Sequence, residues 1–164
     1  MFVDYCKATQ LCGVLGLVPP AAAAEGAGDY GASLSQVYSA HQRLLALREA
    51  CDQALPKQKP VNARAYAAWQ ARHKALLDEL DARLTLMIRG ASANEQEYMR
   101  NVGKYEGAIL GERRDYRDQF AAQPRDEVER LCRDFPKYLA SPGADFHKEY
   151  AEELHTLRQR KLPK

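Results

Sequence analysis

The sequence lacks the short motifs that mark most catalytic and cofactor sites. It has no Cys-x-x-Cys pair, no Cys-x-x-Cys-His and no His-Glu-x-x-His, which argues against a thioredoxin-type site, a zinc knuckle and covalently bound haem. It also has no run of five like charges, and no apolar stretch reaches the ~20 residues that cross a bilayer. We therefore expect no catalytic residue, no metal, no cofactor and no transmembrane anchor.

The composition is poor in Val, Ile and Thr and rich in Ala, Leu, Glu, Arg and Gln, which are good helix formers. Basic residues number 24 and acidic residues 22, for a net charge of +2 over 164 residues. A nucleic-acid-binding protein usually carries a basic excess on one face, so this near-balance disfavours nucleic acid as a partner. The composition predicts an all-α protein with a single folded domain.

Residues 1–24 have the layout of a secretory signal peptide. Lys7 precedes a short apolar run at 11–18, and small residues lead up to a cleavage point between Ala24 and Glu25. Only one basic residue is present in this segment, so an uncleaved leader is the alternative. The pattern predicts a periplasmic or secreted protein.

The four cysteines divide into two groups once this leader is considered. Cys6 and Cys12 leave with it, whereas Cys51 and Cys132 remain as an even pair. In an oxidising compartment such a pair is normally a disulfide, and this one would close a loop of roughly 80 residues, worth about 4 kcal/mol in stability. In a cytosolic protein the same two cysteines would be free and packed as small hydrophobic side chains. We predict the disulfide.

Apolar residues recur at three- and four-residue steps along most of the remaining chain, which predicts amphipathic helices. A flexible, Gly-rich segment at 25–32 leads into a first helix over 33–54, and a second follows over 62–89. A capping box that begins at Ser92 opens a third helix, which runs to about residue 122.

The C-terminal part is predicted to be more broken. Pro124 opens a short fourth helix and Pro136 stops it, a last helix follows Ser141, and the tail at 161–164 frays. The second and third helices are long and joined by a tight turn, so they are predicted to form an antiparallel hairpin. The domain at 33–160 is thus expected to be an antiparallel four-helix bundle with a split C-terminal arm.

Two histidines lie on apolar stripes, where a histidine is either a core residue or a ligand. His41 is on the first helix and His73 on the second, so the two are able to meet in the core. Together with Glu112, where the stripe of the third helix fails, they could bind a metal ion or a small ligand. No carboxylate or cysteine lies one turn away on either stripe, so core histidines with satisfied hydrogen bonds are the favoured interpretation.

Gly103, Gly107 and Gly111 recur at four-residue steps along the third helix. Each costs about 1 kcal/mol relative to alanine inside a helix, so we expect a compensating contact. The favoured interpretation is internal packing, with the ring of Trp69 or Tyr66 against the glycines. The alternatives are a shallow groove for a partner helix and a weakened, bendable helix.

Three features resemble small uncharacterised exported helical proteins of proteobacteria. They are Cys51, Trp69 after an aromatic-Ala-Ala sequence, and the late Cys132-x-x-Phe135-Pro136. The resemblance spans most of the mature chain and implies no activity.

The absent catalytic motifs, the balanced charge and the glycine stripe predict a non-enzymatic protein. We expect it to bind another periplasmic or envelope protein as an accessory, chaperone-like or inhibitory factor. The alternative is a bundle that binds a small ligand or metal through His41, His73 and Glu112.

Overall fold

Helices account for almost all of residues 24–160, which are the residues that the computed structural model describes, and no strand occurs among them. The predicted all-α class is confirmed for this part of the chain. The predicted leader up to residue 23 and the tail at 161–164 lie outside it. None of the described helices is both long enough and apolar enough to span a membrane. The helices are α1 Ala24–Ala54, α2 Lys59–Gly90, α3 Glu95–Ala121, α4 Arg125–Leu139, α5 Phe146–Glu149 and α6 Ala151–Gln159.

The starts of α1 and α3 differ from the sequence prediction. α1 begins at Ala24, so the glycine-rich segment expected to be flexible at 25–32 is part of a helix. The N-cap of α3 is Asn94, whose Oδ1 accepts a hydrogen bond from the Glu97 amide at 3.0 Å. The hydroxyl of Ser92, predicted as the cap, instead donates to a carbonyl of α2 at 2.7 Å.

The C-terminal arm is also divided differently. Pro136 lies inside α4, which continues to Leu139, so the prediction that this proline stops the helix is wrong. The last predicted helix is two helices, because Tyr150 leaves the helical conformation with φ −117° and ψ 33°. Asp145 caps the first of them and accepts a hydrogen bond from the His147 amide at 3.1 Å. A short 3₁₀ turn, Pro142–Ala144, precedes this cap.

α1 is the central element, since it packs against α2, α3, α4 and α6. α3 lies chiefly along α1 and approaches α2 only sparingly, although the sequence predicted a hairpin of α2 and α3. Phe120 is the single fully buried residue of α3. The largest fully buried side chains come from the other helices and include Trp69, Phe135, Leu34, Leu76, Leu80, Leu139, Leu154 and Leu157.

The predicted cysteine pair is brought together between α1 and α4. Cys51 and Cys132 are joined with an S–S distance of 2.07 Å, and both are fully buried. The bond connects the end of the central helix to the middle of a 15-residue helix. It therefore attaches the C-terminal arm to α1.

A second attachment of the arm depends on Arg83, which lies on the buried face of α2 and is only 4% exposed. Its Nε and Nη2 donate to Glu79 at 2.9 and 2.8 Å, and its Nη1 donates to the Arg160 carbonyl at 2.9 Å. Arg158 donates to the same Glu79 carboxylate at 2.9 Å, and Tyr30 of α1 lies close enough to Arg83 to interact with its charge. These bonds hold residues 158–160 on α1 and α2.

The charge of Glu79 is stabilised by this arrangement. Burial alone would raise the pKa of Glu79, but the hydrogen bonds and charges of Arg158 and Arg83 lower it overall. A carboxyl group with a lowered folded-state pKa contributes stability above its unfolded pKa of about 4.3. That stability is lost as the pH falls through the folded-state pKa.

We expect Glu79→Gln to lower the free energy of unfolding at pH 7 by roughly 3 kcal/mol, because it leaves Arg83 buried and charged without a counter-ion. The difference from the wild type should shrink below about pH 4, where the wild-type carboxyl is itself becoming protonated. Urea unfolding between pH 3 and pH 7 measures both. Asp78→Asn is the matched control: Asp78 pairs only with exposed Lys74, so it should change stability by less than about 1 kcal/mol. A Glu79→Gln effect that does not vary with pH would contradict the assignment.

Candidate functional site

A cluster of stacked rings fills the space between α1, α2 and α5. The Trp69 ring is 0% exposed. His73 stacks on it with ring centroids 4.4 Å apart and His41 with centroids 5.8 Å apart, while Phe146 packs edge-on at 5.0 Å. The Trp69 Nε1 donates to the Ala144 carbonyl at 2.6 Å. The indole is therefore the common neighbour of both sequence-predicted histidines.

His73 has partners for both ring nitrogens and is 3% exposed. Its Nδ1 lies 2.9 Å from the Trp69 carbonyl, and its Nε2 accepts a hydrogen bond from the Phe146 amide at 3.2 Å. A carbonyl can only accept and an amide can only donate, so these two bonds fit a ring that carries its proton on Nδ1. The Asp145 carboxylate also lies 3.5 Å from Nε2. The Nε2 lone pair that a metal ion would need is used by the backbone of α5.

His41 makes a different set of contacts. Its Nε2 lies 3.0 Å from the Tyr66 hydroxyl. Burial, followed by the positive charge of Arg113 and by His73, lowers the pKa of His41 to about 4. The ring is therefore neutral at pH 7, and it is positioned by a phenol and an indole.

Glu112, the third residue of the predicted ligand set, is directed to another part of α1. It accepts a hydrogen bond from the Ser39 hydroxyl at 3.1 Å, and the adjacent Arg113 forms an ion pair with Glu49. His41, His73 and Glu112 thus have different hydrogen-bond partners, although both histidines stack on Trp69. Within residues 24–160, no group of three or more His, Cys, Asp or Glu side chains could hold a metal ion.

The glycines of α3 face open space. A Cβ atom added at Gly103, Gly107 or Gly111 would meet nothing within 4 Å. Trp69 and Tyr66 are both in the core, so the expected packing of either ring against the glycines is wrong. The physical reason is that α3 packs on α1 through its opposite side, which carries the half-buried residues Tyr98, Val102, Tyr105, Ile109 and Tyr116.

The solvent side of α3 combines these small residues with apolar and basic ones. Leu110 is 62% exposed and Met99 is 60% exposed, the two largest values among the large apolar side chains of the described residues. Arg100 and Lys104 are also exposed. Helical spacing places all of these residues on adjoining strips of the helix surface. We call this surface the outer α3 face: Met99, Arg100, Gly103, Lys104, Gly107, Leu110 and Gly111.

Two arginines of α2 have roles that the sequence reasoning missed. Arg83 lies three and seven residues after Leu80 and Leu76, so its spacing on the apolar stripe was a usable signal of burial. Arg72 donates from Nη2 to the Leu139 carbonyl at 2.7 Å. No periodic signal could have found that bond, because its acceptor is a backbone atom at the end of another helix.

The comparisons with known proteins give no relative for this arrangement. No family model, no curated protein and no solved structure matches the chain. The functional argument therefore depends on the residues and geometry described above.

Protonation of His41 should destabilise the fold. Its folded-state pKa of about 4 lies below the ordinary value of 6.5, so the unfolded chain binds the proton more tightly. The contribution of His41 to the free energy of unfolding should therefore be constant above pH 7. It should fall as the pH drops from 6.5 to 4, by at most about 3 kcal/mol.

Urea unfolding of wild type and His41→Gln at pH 4.5 and pH 7 tests this expectation. The variant should show a smaller loss of stability on acidification, because it removes the group that titrates. The matched control is His155→Gln, on the exposed surface of α6, which should keep the wild-type slope. The same slope in His41→Gln as in the wild type would refute the assignment.

Proposed function

We propose that this is an exported, non-enzymatic protein that binds a helical segment of a partner protein through the outer α3 face. One observation carries the proposal. α3 is a 27-residue helix on which three aligned glycines have open space beside them and two large apolar side chains are exposed.

The energetics of the glycines support an external role. Alanine would fit at Gly103, Gly107 and Gly111 without a clash, and each alanine would favour the helix by about 1 kcal/mol. No internal contact therefore requires glycine there. A strip without side chains lets a second helix approach the backbone closely, and exposed Leu110 and Met99 supply apolar surface that a partner would bury.

The attachment of α3 to α1 leaves this face available. Arg113 pairs with Glu49, and Glu112 accepts a hydrogen bond from Ser39, so polar contacts hold the inner side of α3. Exposed Arg100 and Lys104 on the outer side favour a partner helix that carries acidic residues beside its apolar ones.

We further infer an antiparallel bundle with a split C-terminal arm. From the C-terminal end of α1 towards its N-terminal end, the residues that it contacts on α2 and on the arm have rising numbers, as expected for antiparallel neighbours. The pairs between α1 and α2 are Asp52 with Asn62, His41 with Tyr66, and Tyr30 with Arg83. The pairs between α1 and the arm are Cys51 with Cys132, Gln36 with Glu153, and Tyr30 with Arg160.

We place the protein in the periplasm or outside the cell. The layout of residues 1–24 supports export, and the fully buried geometry of Cys51 and Cys132 suits a structural disulfide. Such bonds persist in oxidising compartments. In that compartment, the outer α3 face would be accessible to other envelope proteins.

The intact mass of natively expressed protein tests export. We expect a chain that starts at Glu25, with Cys51 and Cys132 resistant to alkylation until a reductant is added. A mass that includes Met1, or two thiols alkylated without reductant, would overturn the proposed compartment. Neither result would bear on the binding surface.

Replacing all three α3 glycines by alanine tests the binding role. The variant Gly103→Ala, Gly107→Ala, Gly111→Ala should be more stable to urea by up to about 3 kcal/mol and should lose partner capture, because three methyl groups keep a partner helix away. Capture is measured in the native host by photo-crosslinking from a photoreactive residue at position 110.

The matched control is Gly31→Ala on α1, where an added Cβ also meets nothing within 4 Å. It should gain stability and leave the crosslinks of position 110 unchanged. Undiminished crosslinking in the triple variant would reject the outer α3 face as a docking surface. Lower stability of that variant would show that the glycines serve internal packing.

A further inference from the structure

A cleft of about 350 Å³ lies between α2 and the turn that connects α4 to α5. Arg72 and His73 of α2 form one side, and residues from the segment 140–148 form the other. Its volume is at the lower end of the range for small-molecule sites. None of its lining residues belongs to the outer α3 face, so what it binds is independent of the partner proposed above.

Hydrogen bonds from α2 hold the walls of this cleft in place. Because the turn is fixed before any ligand arrives, little ordering entropy remains to be lost on binding. The three bonds are Trp69 Nε1 to the Ala144 carbonyl at 2.6 Å, the Phe146 amide to His73 Nε2 at 3.2 Å, and Arg72 Nη2 to the Leu139 carbonyl at 2.7 Å.

The cleft carries more positive than negative charge. Arg72 and Lys148 are cationic, and Asp145 is the single acidic residue among the lining residues. The Asp145 carboxylate is already engaged: it accepts a hydrogen bond from the His147 amide at 3.1 Å, and it lies 3.5 Å from His73 Nε2 and 3.8 Å from the Lys148 ammonium. Arg72 has five N–H donors, and its bond to the Leu139 carbonyl uses one nitrogen. Its guanidinium is thus the group best able to receive an anion.

We propose that this cleft binds a small carboxylate with an apolar body. The planar guanidinium of Arg72 matches a carboxylate in two parallel hydrogen bonds, and Lys148 adds attraction. A phosphate ester with two charges fits less well, because Lys148 is shared with Asp145 and the second negative charge would face that carboxylate. The apolar part of the ligand would contact Ala140 and Pro142, which are exposed.

Titration of the isotope-labelled full chain with sodium benzoate, at constant ionic strength, tests the proposal. The amide signals of residues 140–148 should shift and saturate, whereas benzyl alcohol, which has the same ring without charge, should leave them in place. Arg72→Gln should weaken benzoate binding about tenfold or more, the effect of losing a charged hydrogen-bonded pair. Lys148→Gln, which removes no bond that holds the turn, should weaken it several-fold.

The matched control is Arg64→Gln, which removes the same charge from an exposed position two turns earlier on α2. It should bind benzoate like the wild type. The proposal is overturned by the absence of saturable shifts at 140–148, by equal weakening in Arg64→Gln, or by wild-type benzoate affinity in Lys148→Gln. Tighter binding of phenyl phosphate than of benzoate would overturn the carboxylate assignment.

Discussion

Burial of the Trp69 indole is the constraint on which the C-terminal half of the structure depends. Trp69 is the largest fully buried side chain among the described residues, and the indole N–H must find a hydrogen-bond acceptor once it is removed from water. That acceptor is the Ala144 carbonyl, so satisfying the indole fixes the turn after α4 against α2. His73, one helical turn further along α2, then accepts a hydrogen bond from the Phe146 amide. The position of α5 follows from these two bonds, and the cleft beside Arg72 is the space that they leave.

The two long helices that flank α1 are used unequally. α2 contributes a continuous buried row from Asn62 to Leu80, whereas α3 contributes Phe120 alone. α3 is therefore retained by half-buried side chains and by polar contacts such as Arg113 with Glu49. A helix with few buried apolar contacts and three glycines is expected to open locally at lower free energy than the core. The surface proposed for partner binding thus lies on a helix that we expect to adjust its shape at a lower energetic cost than the core helices.

Helical periodicity predicted which faces are buried but could not predict which elements meet. Leu34 and Val37 of α1 and Leu76 and Leu80 of α2, which recur at helical spacing, are all buried, and the predicted pairing of Cys51 with Cys132, reached by elimination, is present in the structure. The spacing of the glycines on α3 is compatible both with internal packing and with an external groove. Only the side of α3 that packs against α1 distinguishes the two interpretations. The Phe146 amide that donates to His73 was also beyond sequence reasoning, because its position depends on the turn at Ala144.

The two proposed surfaces depend on different attachments. The cleft requires the turn between α4 and α5, and the arm that carries this turn is held on α1 and α2 by the Cys51–Cys132 bond and by Arg83. The outer α3 face depends chiefly on the contacts between α3 and α1. The disulfide is therefore linked more directly to the proposed small-ligand site, through α4, than to the proposed docking surface. A disulfide that does not line the proposed cleft can in this way determine whether the cleft forms, because it holds α4, and α4 leads into the turn that forms one wall of the cleft.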